Sequence, residues 1–112
     1  VSTDSAVIGP YKTGEKPLPL TYTFQDNGGV AINLTGFTAK VNVREKYGAA
    51  TQYNATVSTP LSGIVTYAWT GAEFPTPGQY QAEFWVGNGV ARYDSILLKF
   101  DVRAAVGPVP AI

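Results

Sequence analysis

The sequence predicts an all-β protein: an immunoglobulin-like antiparallel β-sandwich of about seven strands, with no long helix. Three observations carry this. Apolar and polar residues alternate with a period of two in run after run. Clusters of Gly and Pro separate the runs. No window repeats apolar residues at helical spacing over three turns, and only residues 70–74 suggest a single helical turn.

The elements follow in order. Residues 1–10 carry scattered apolar side chains and read as an N-terminal arm or edge strand. Residues 11–103 form the sandwich. Its first alternating run is Leu18-Pro19-Leu20-Thr21-Tyr22-Thr23-Phe24. Asp26-Asn27-Gly28-Gly29 then supplies the residues of a tight reversal. In residues 37–44 every odd position is apolar, so Phe37, Ala39, Val41 and Val43 should line the core. Gly48 interrupts the chain before a run in which Tyr53, Ala55 and Val57 share a face. Pro60 and Gly63 bracket the next turn, and Val65, Tyr67 and Trp69 follow on one side. Pro75-Thr76-Pro77-Gly78 makes another turn, because Pro fixes φ and Gly relaxes it. Tyr80, Ala82, Phe84 and Val86 come next on one face. Gly87-Asn88-Gly89 reads as a three-residue hairpin loop. The last run, residues 90–102, places Ile96, Leu98, Phe100 and Val102 together. Residues 104–112 form an uncharged apolar tail. Gly78-Gln79-Tyr80 also has the form of a tyrosine corner, with Ala82 where antibody domains carry a Cys.

Composition narrows the function. The chain has 112 residues, and its 8 Lys plus Arg balance its 8 Asp plus Glu. Only 14% of residues are charged, against roughly 25% in an average soluble domain. There is no Cys, His or Met. A Ser-His-Asp triad, a Cys nucleophile, a disulfide and an ordinary zinc site are therefore excluded. The expectation is a protein that is not an enzyme and needs no cofactor or metal. No basic excess offers a footprint for nucleic acid, and no apolar run approaches a membrane span. The sequence begins at Val1 without the shape of a signal peptide, which reads as removal of an initiator methionine.

Few residues stand out as candidate sites. Trp85 lies on the polar face of its run, and a three-residue loop would bring Tyr93 to the same outer face. Such a pair is an interface anchor or a sugar-stacking platform. The tail residues Val106, Val109 and Ile112 would hide their apolar surface by docking on a neighbour. Glu73 and Glu83 are the nearest approach to a glycosidase pair, a weak signal. Asp26 begins a segment that lacks the full calcium-loop pattern. Asn33-Leu34-Thr35 and Asn54-Ala55-Thr56 are sequons that turn propensity and abundant Thr explain.

Several segments together resemble a known family. They are Gly14-Glu15, the run 18–24, Leu34-Thr35-Gly36, Gly63-Ile64-Val65-Thr66-Tyr67-Ala68-Trp69 and Gly78-Gln79-Tyr80-Gln81-Ala82-Glu83. In order and spacing they are similar to the immunoglobulin-like N-terminal domain of phage baseplate upper proteins and related small minor tail proteins of long-tailed phages. Glu15 stands where the family usually has Asp. The resemblance implies a structural virion protein at the tail tip or baseplate, assembled in the bacterial host cytoplasm. It would act by packing with other virion proteins in a symmetric oligomeric assembly. The part of baseplate upper proteins that trimerises and carries receptor-binding proteins lies outside the resemblance, so a receptor role is not carried over. The alternatives are a capsid decoration protein or a carbohydrate-binding adhesion domain that takes a host-surface glycan.

Overall fold

The structure, a computed structural model, describes residues 5–108. Its strands are β1 (Ser5–Lys12), β2 (Leu20–Thr23), β3 (Thr38–Glu45), β4 (Thr51–Thr59), β5 (Ile64–Tyr67), β6 (Gly78–Gly87), β7 (Arg92–Asp94) and β8 (Leu97–Arg103). A 3-10 turn at Pro60–Ser62 joins β4 to β5. The strands pair in the order β1-β8-β6-β3-β4-β5-β2, and β7 also pairs with β6. β4 belongs to both layers. Residues 51–55 pair with β3, and from Thr56 onward the strand pairs with β5 across a register shift between Val57 and Thr59. Such a strand carries the chain around the corner of a sandwich. The protein is an all-β sandwich, as its alternating sequence implies.

Two details depart from expectation. The pairing is antiparallel throughout the described strands except between β1 and β8, which run parallel. No hairpin joins these two strands, so nothing in the connection enforces antiparallel pairing. The last expected run divides into β7 and β8 at Ser95. The buried Ser95 hydroxyl accepts the Phe84 amide at 2.8 Å and donates to the Ile96 carbonyl at 2.8 Å. Its own amide donates to the Phe84 carbonyl. A side chain thereby takes over the ladder where β6 exchanges β7 for β8.

The core follows the alternation. Ala39, Val41 and Val43 of β3 are buried, as are Tyr80, Ala82, Phe84 and Val86 of β6 and Leu98, Phe100 and Val102 of β8. Val65, Tyr67 and Trp69 meet them from the other layer. Phe37 and Ile96 are half-buried at the margin. Leu18 corrects the first run: it is exposed, and β2 begins only at Leu20. Pro17 and Pro19 flank Leu18 and have no N–H to give a ladder. One end of the core is aromatic. Trp69 lies 5.4–5.8 Å, centroid to centroid, from Tyr11, Tyr67, Phe74 and Phe100. Such contacts contribute roughly 0.5–1.5 kcal/mol each beyond area burial. The tyrosine corner is formed. The Tyr80 hydroxyl donates to the Thr76 carbonyl at 2.8 Å and pins the turn that launches β6.

Candidate interaction surface

The outer face of the larger sheet is a polar lattice. Arg44 donates from Nε and Nη2 to Gln81 Oε1 at 3.1 and 2.9 Å. Gln52 Nε2 donates to Asn42 Oδ1 at 3.1 Å, and Lys40 donates to Asn54 Oδ1. Trp85 lies half-buried on this face, its indole N–H donating to Glu83 at 2.8 Å. A shallow depression of about 680 Å³ beside it is lined by Lys40, Asn42, Gln52, Glu83 and Arg92, among others. The side chains here satisfy one another across strands, as cross-strand pairs on a solvated sheet face do.

Tyr93 is not part of this surface. Val86 pairs with Tyr93 and Trp85 with Asp94. Directly opposed residues share a face, so Tyr93 stands on the core side with Val86 and Trp85 on the outside with Asp94. The cause is loop length. Gly87 stays in β6 and pairs with Arg92, so the loop is residues 88–91 rather than 87–89. Asn88 Oδ1 holds it by accepting the amides of Val90 and Ala91 at 2.9 and 2.7 Å. An odd change of register exchanges the two faces of a strand. Tyr93 instead stacks on Phe37, with ring centroids 6.0 Å apart.

That stack sits at one end of the sandwich, where large apolar residues reach into solvent. Val30 is 63% exposed, Leu61 74% and Val90 96%. Each belongs to a different turn, and the register brings the turns to one end. Thr38 pairs with Gly87, and Thr23 with Ile64. Hydrogen bonds tie each turn. Asp26 Oδ1 accepts the amides of Gly28 and Val30 at 2.9 and 3.0 Å. The Leu34 amide donates to the Pro60 carbonyl at 2.8 Å, which ties the β2–β3 loop to the 3-10 turn. Gly63 ends that turn at φ +69, and a Cβ there would lie 2.5 Å from the Phe24 carbonyl oxygen. Sequence reasoning did not single these three residues out. The signal was present: an apolar side chain inside a Gly- or Pro-rich turn has no core face to join.

The remaining candidates separate. Glu83 faces outward, whereas Glu73 is only 5% exposed and lies in the β5–β6 loop, so the two share no cleft. Glu73 accepts hydrogen bonds from the Tyr67 hydroxyl and from the amides of Thr70 at 2.8 Å and Gly71 at 2.9 Å. These bonds replace the helical turn expected at residues 70–74; Gly71 stands at φ +92, outside helical geometry. Burial alone would raise the Glu73 carboxyl, but the Tyr67 and Thr70 hydrogen bonds outweigh it and hold it below the usual range. Burial, and then Glu73, push the Tyr67 hydroxyl up. Asn33 Oδ1 accepts the Thr35 amide and hydroxyl at 3.0 and 2.6 Å, the turn role expected of it. Among the described residues no group of His, Cys, Asp or Glu is placed to hold a metal ion. No described helix is long and apolar enough to cross a membrane. Val106 is fully exposed, while Val109 and Ile112 lie outside the described residues.

The chain thus presents a packed block with a polar outer face and, in hydrogen-bonded turns at one end, three exposed apolar residues. No curated protein matches it. The family model described as the BppU N-terminal domain matches residues 19–108, which takes in β2 through β8 and the three apolar turns. The chain therefore belongs to the family of the BppU N-terminal domain, the N-terminal domain of phage baseplate upper proteins.

Proposed function

We propose that this domain is a structural part of a phage tail, at the baseplate of the tail tip, and that its work is contact rather than catalysis. Family membership supports the baseplate setting. The observation that carries the mode of action is the set of exposed apolar residues in hydrogen-bonded turns, Val30, Leu61 and Val90, at one end of the sandwich. Burying each such side chain against a neighbouring virion protein contributes on the order of 1.5–3 kcal/mol before the cost of association. The hydrogen bonds of Asp26, Asn88 and Leu34 hold the turns in place beforehand, so little ordering cost falls on binding. A glycan platform built from Trp85 and Tyr93 loses support, because the two rings lie on opposite faces.

The test is the triple variant Val30→Ser, Leu61→Ser, Val90→Ser. It should keep the wild-type circular dichroism spectrum, since exposed positions change stability by about 0.5 kcal/mol or less. It should be lost from assembled particles in a phage complementation assay. Incorporation at the wild-type level would reject the loop end as the contact surface.

A further inference from the structure

The sheet edges differ in how they are protected against added strands. β1 carries Pro10, which has no N–H, together with a register shift between Ile8 and Tyr11 and a terminal Lys12. β2 has four residues and follows Pro17 and Pro19. β7 has three residues, with Arg92 and Asp94 at its ends. Prolines, charges, shifts and short strands are the devices that blunt an edge. The first half of β4 has none of them. Residues 51–55 pair with β3 on one side, and among the described residues no strand pairs with them on the other, because β5 engages β4 only from Thr56. Their sequence, Thr51-Gln52-Tyr53-Asn54-Ala55, contains neither charge nor Pro.

We propose that residues 51–55 of β4 pair antiparallel with the same residues of a second copy, joining two sandwiches into a two-fold dimer through a continuous sheet. The segment is complementary to itself. Two-fold pairing centred on Tyr53 sets Gln52 opposite Asn54 of the second copy, and does so twice, as an isologous interface requires. The outer-face lattice leaves these two amides with opposite needs. Gln52 donates from Nε2 to Asn42, and its Oε1 has no partner among the described residues. Asn54 accepts from Lys40 at Oδ1, and its Nδ2 likewise has none. Gln52 Oε1 of one copy therefore meets Asn54 Nδ2 of the other, and the lattice continues across the axis. No like charges oppose one another at this edge, so nothing discourages the pairing. This inference rests on edge chemistry and holds wherever in a particle the domain sits.

Sedimentation equilibrium on the 112-residue chain tests it. Wild type should have twice the monomer mass, and those amides of residues 51–55 that point away from β3 should be protected from hydrogen exchange. Gln52→Lys with Asn54→Lys places lysines opposite lysines and should halve the mass. Gln52→Lys with Asn54→Glu changes the same positions but sets Lys opposite Glu, and should retain the dimer. A monomeric wild type overturns the proposal, even if the lysine variant fails to fold. A dimer that survives the paired lysines, or one abolished by the Lys/Glu exchange in a folded protein, overturns it as well.

Discussion

Replacing Glu73 with Ala removes the acceptor of three hydrogen bonds and leaves the Tyr67 hydroxyl and the Thr70 and Gly71 amides without their partner. A hydrogen bond to a charged group contributes about 1.5–3 kcal/mol net, and an orphaned buried donor costs about 1–3 kcal/mol. Three full contributions overstate the loss, because the carboxylate's own desolvation cost disappears with it. Thr70 is exposed and its amide can turn to water. A net loss of about 3 kcal/mol is expected, equivalent to a fall in Tm of roughly 10–20 °C for a domain of this size. Tyr67→Phe removes one of the three bonds and should cost about 1–1.5 kcal/mol. The double variant should cost less than the sum of the two singles, since both remove the same contact.

The effect carries a pH signature. Glu73 is held below its unfolded value, near 4.3. Its contribution is therefore complete above about pH 4.3 and is lost as pH falls through the folded value. Urea denaturation between pH 3 and pH 7 should show wild-type stability declining toward acid, with the Glu73→Ala difference shrinking in the same range. A Glu73→Ala variant within about 0.5 kcal/mol of wild type at neutral pH, or a difference that does not change with pH, would mean that the Glu73 carboxylate does not hold this loop.

Two other substitutions probe the frame. Gly63→Ala should destabilise by about 2–3 kcal/mol in the same urea titration, because the left-handed φ costs about 1 kcal/mol and the Cβ must displace the Phe24 and Ile32 carbonyls. A loss below about 0.5 kcal/mol would mean that the turn relaxes freely. Tyr80→Phe deletes only the hydroxyl of the tyrosine corner and should cost about 1–2 kcal/mol by thermal melting, with the native spectrum retained. An unchanged Tm would deny the corner a part in stability.

The core of this fold was readable because its strands have one wet face and one dry one. Val41, Val43, Phe84 and Phe100 alternate with polar residues and are buried as the alternation requires. Tyr80 was readable from the Gly and turn that precede it. The position of Tyr93 was not, because it hangs on whether Gly87 belongs to the strand or the loop. Local glycines cannot decide that; the Asn88 side chain does, by capping two amides. Glu73 was legible only as one acid among several, since its partner Tyr67 comes from the preceding strand and its role from a loop without repeating geometry. Val30 and Leu61 stood in plain view within turns, but alternation directs attention to strands and passes over apolar residues between them, and Val90 reads as the start of the last run until β7 is seen to begin at Arg92.

A tail building block that acts through contact at its loop end must be found in the tail with that end covered. Cryo-electron microscopy of intact particles shows both at once. The expected result is density for the sandwich at the baseplate, with the turns of Val30, Leu61 and Val90 buried against a neighbouring protein. Density on the capsid, or at the baseplate with those three turns facing solvent, would contradict it.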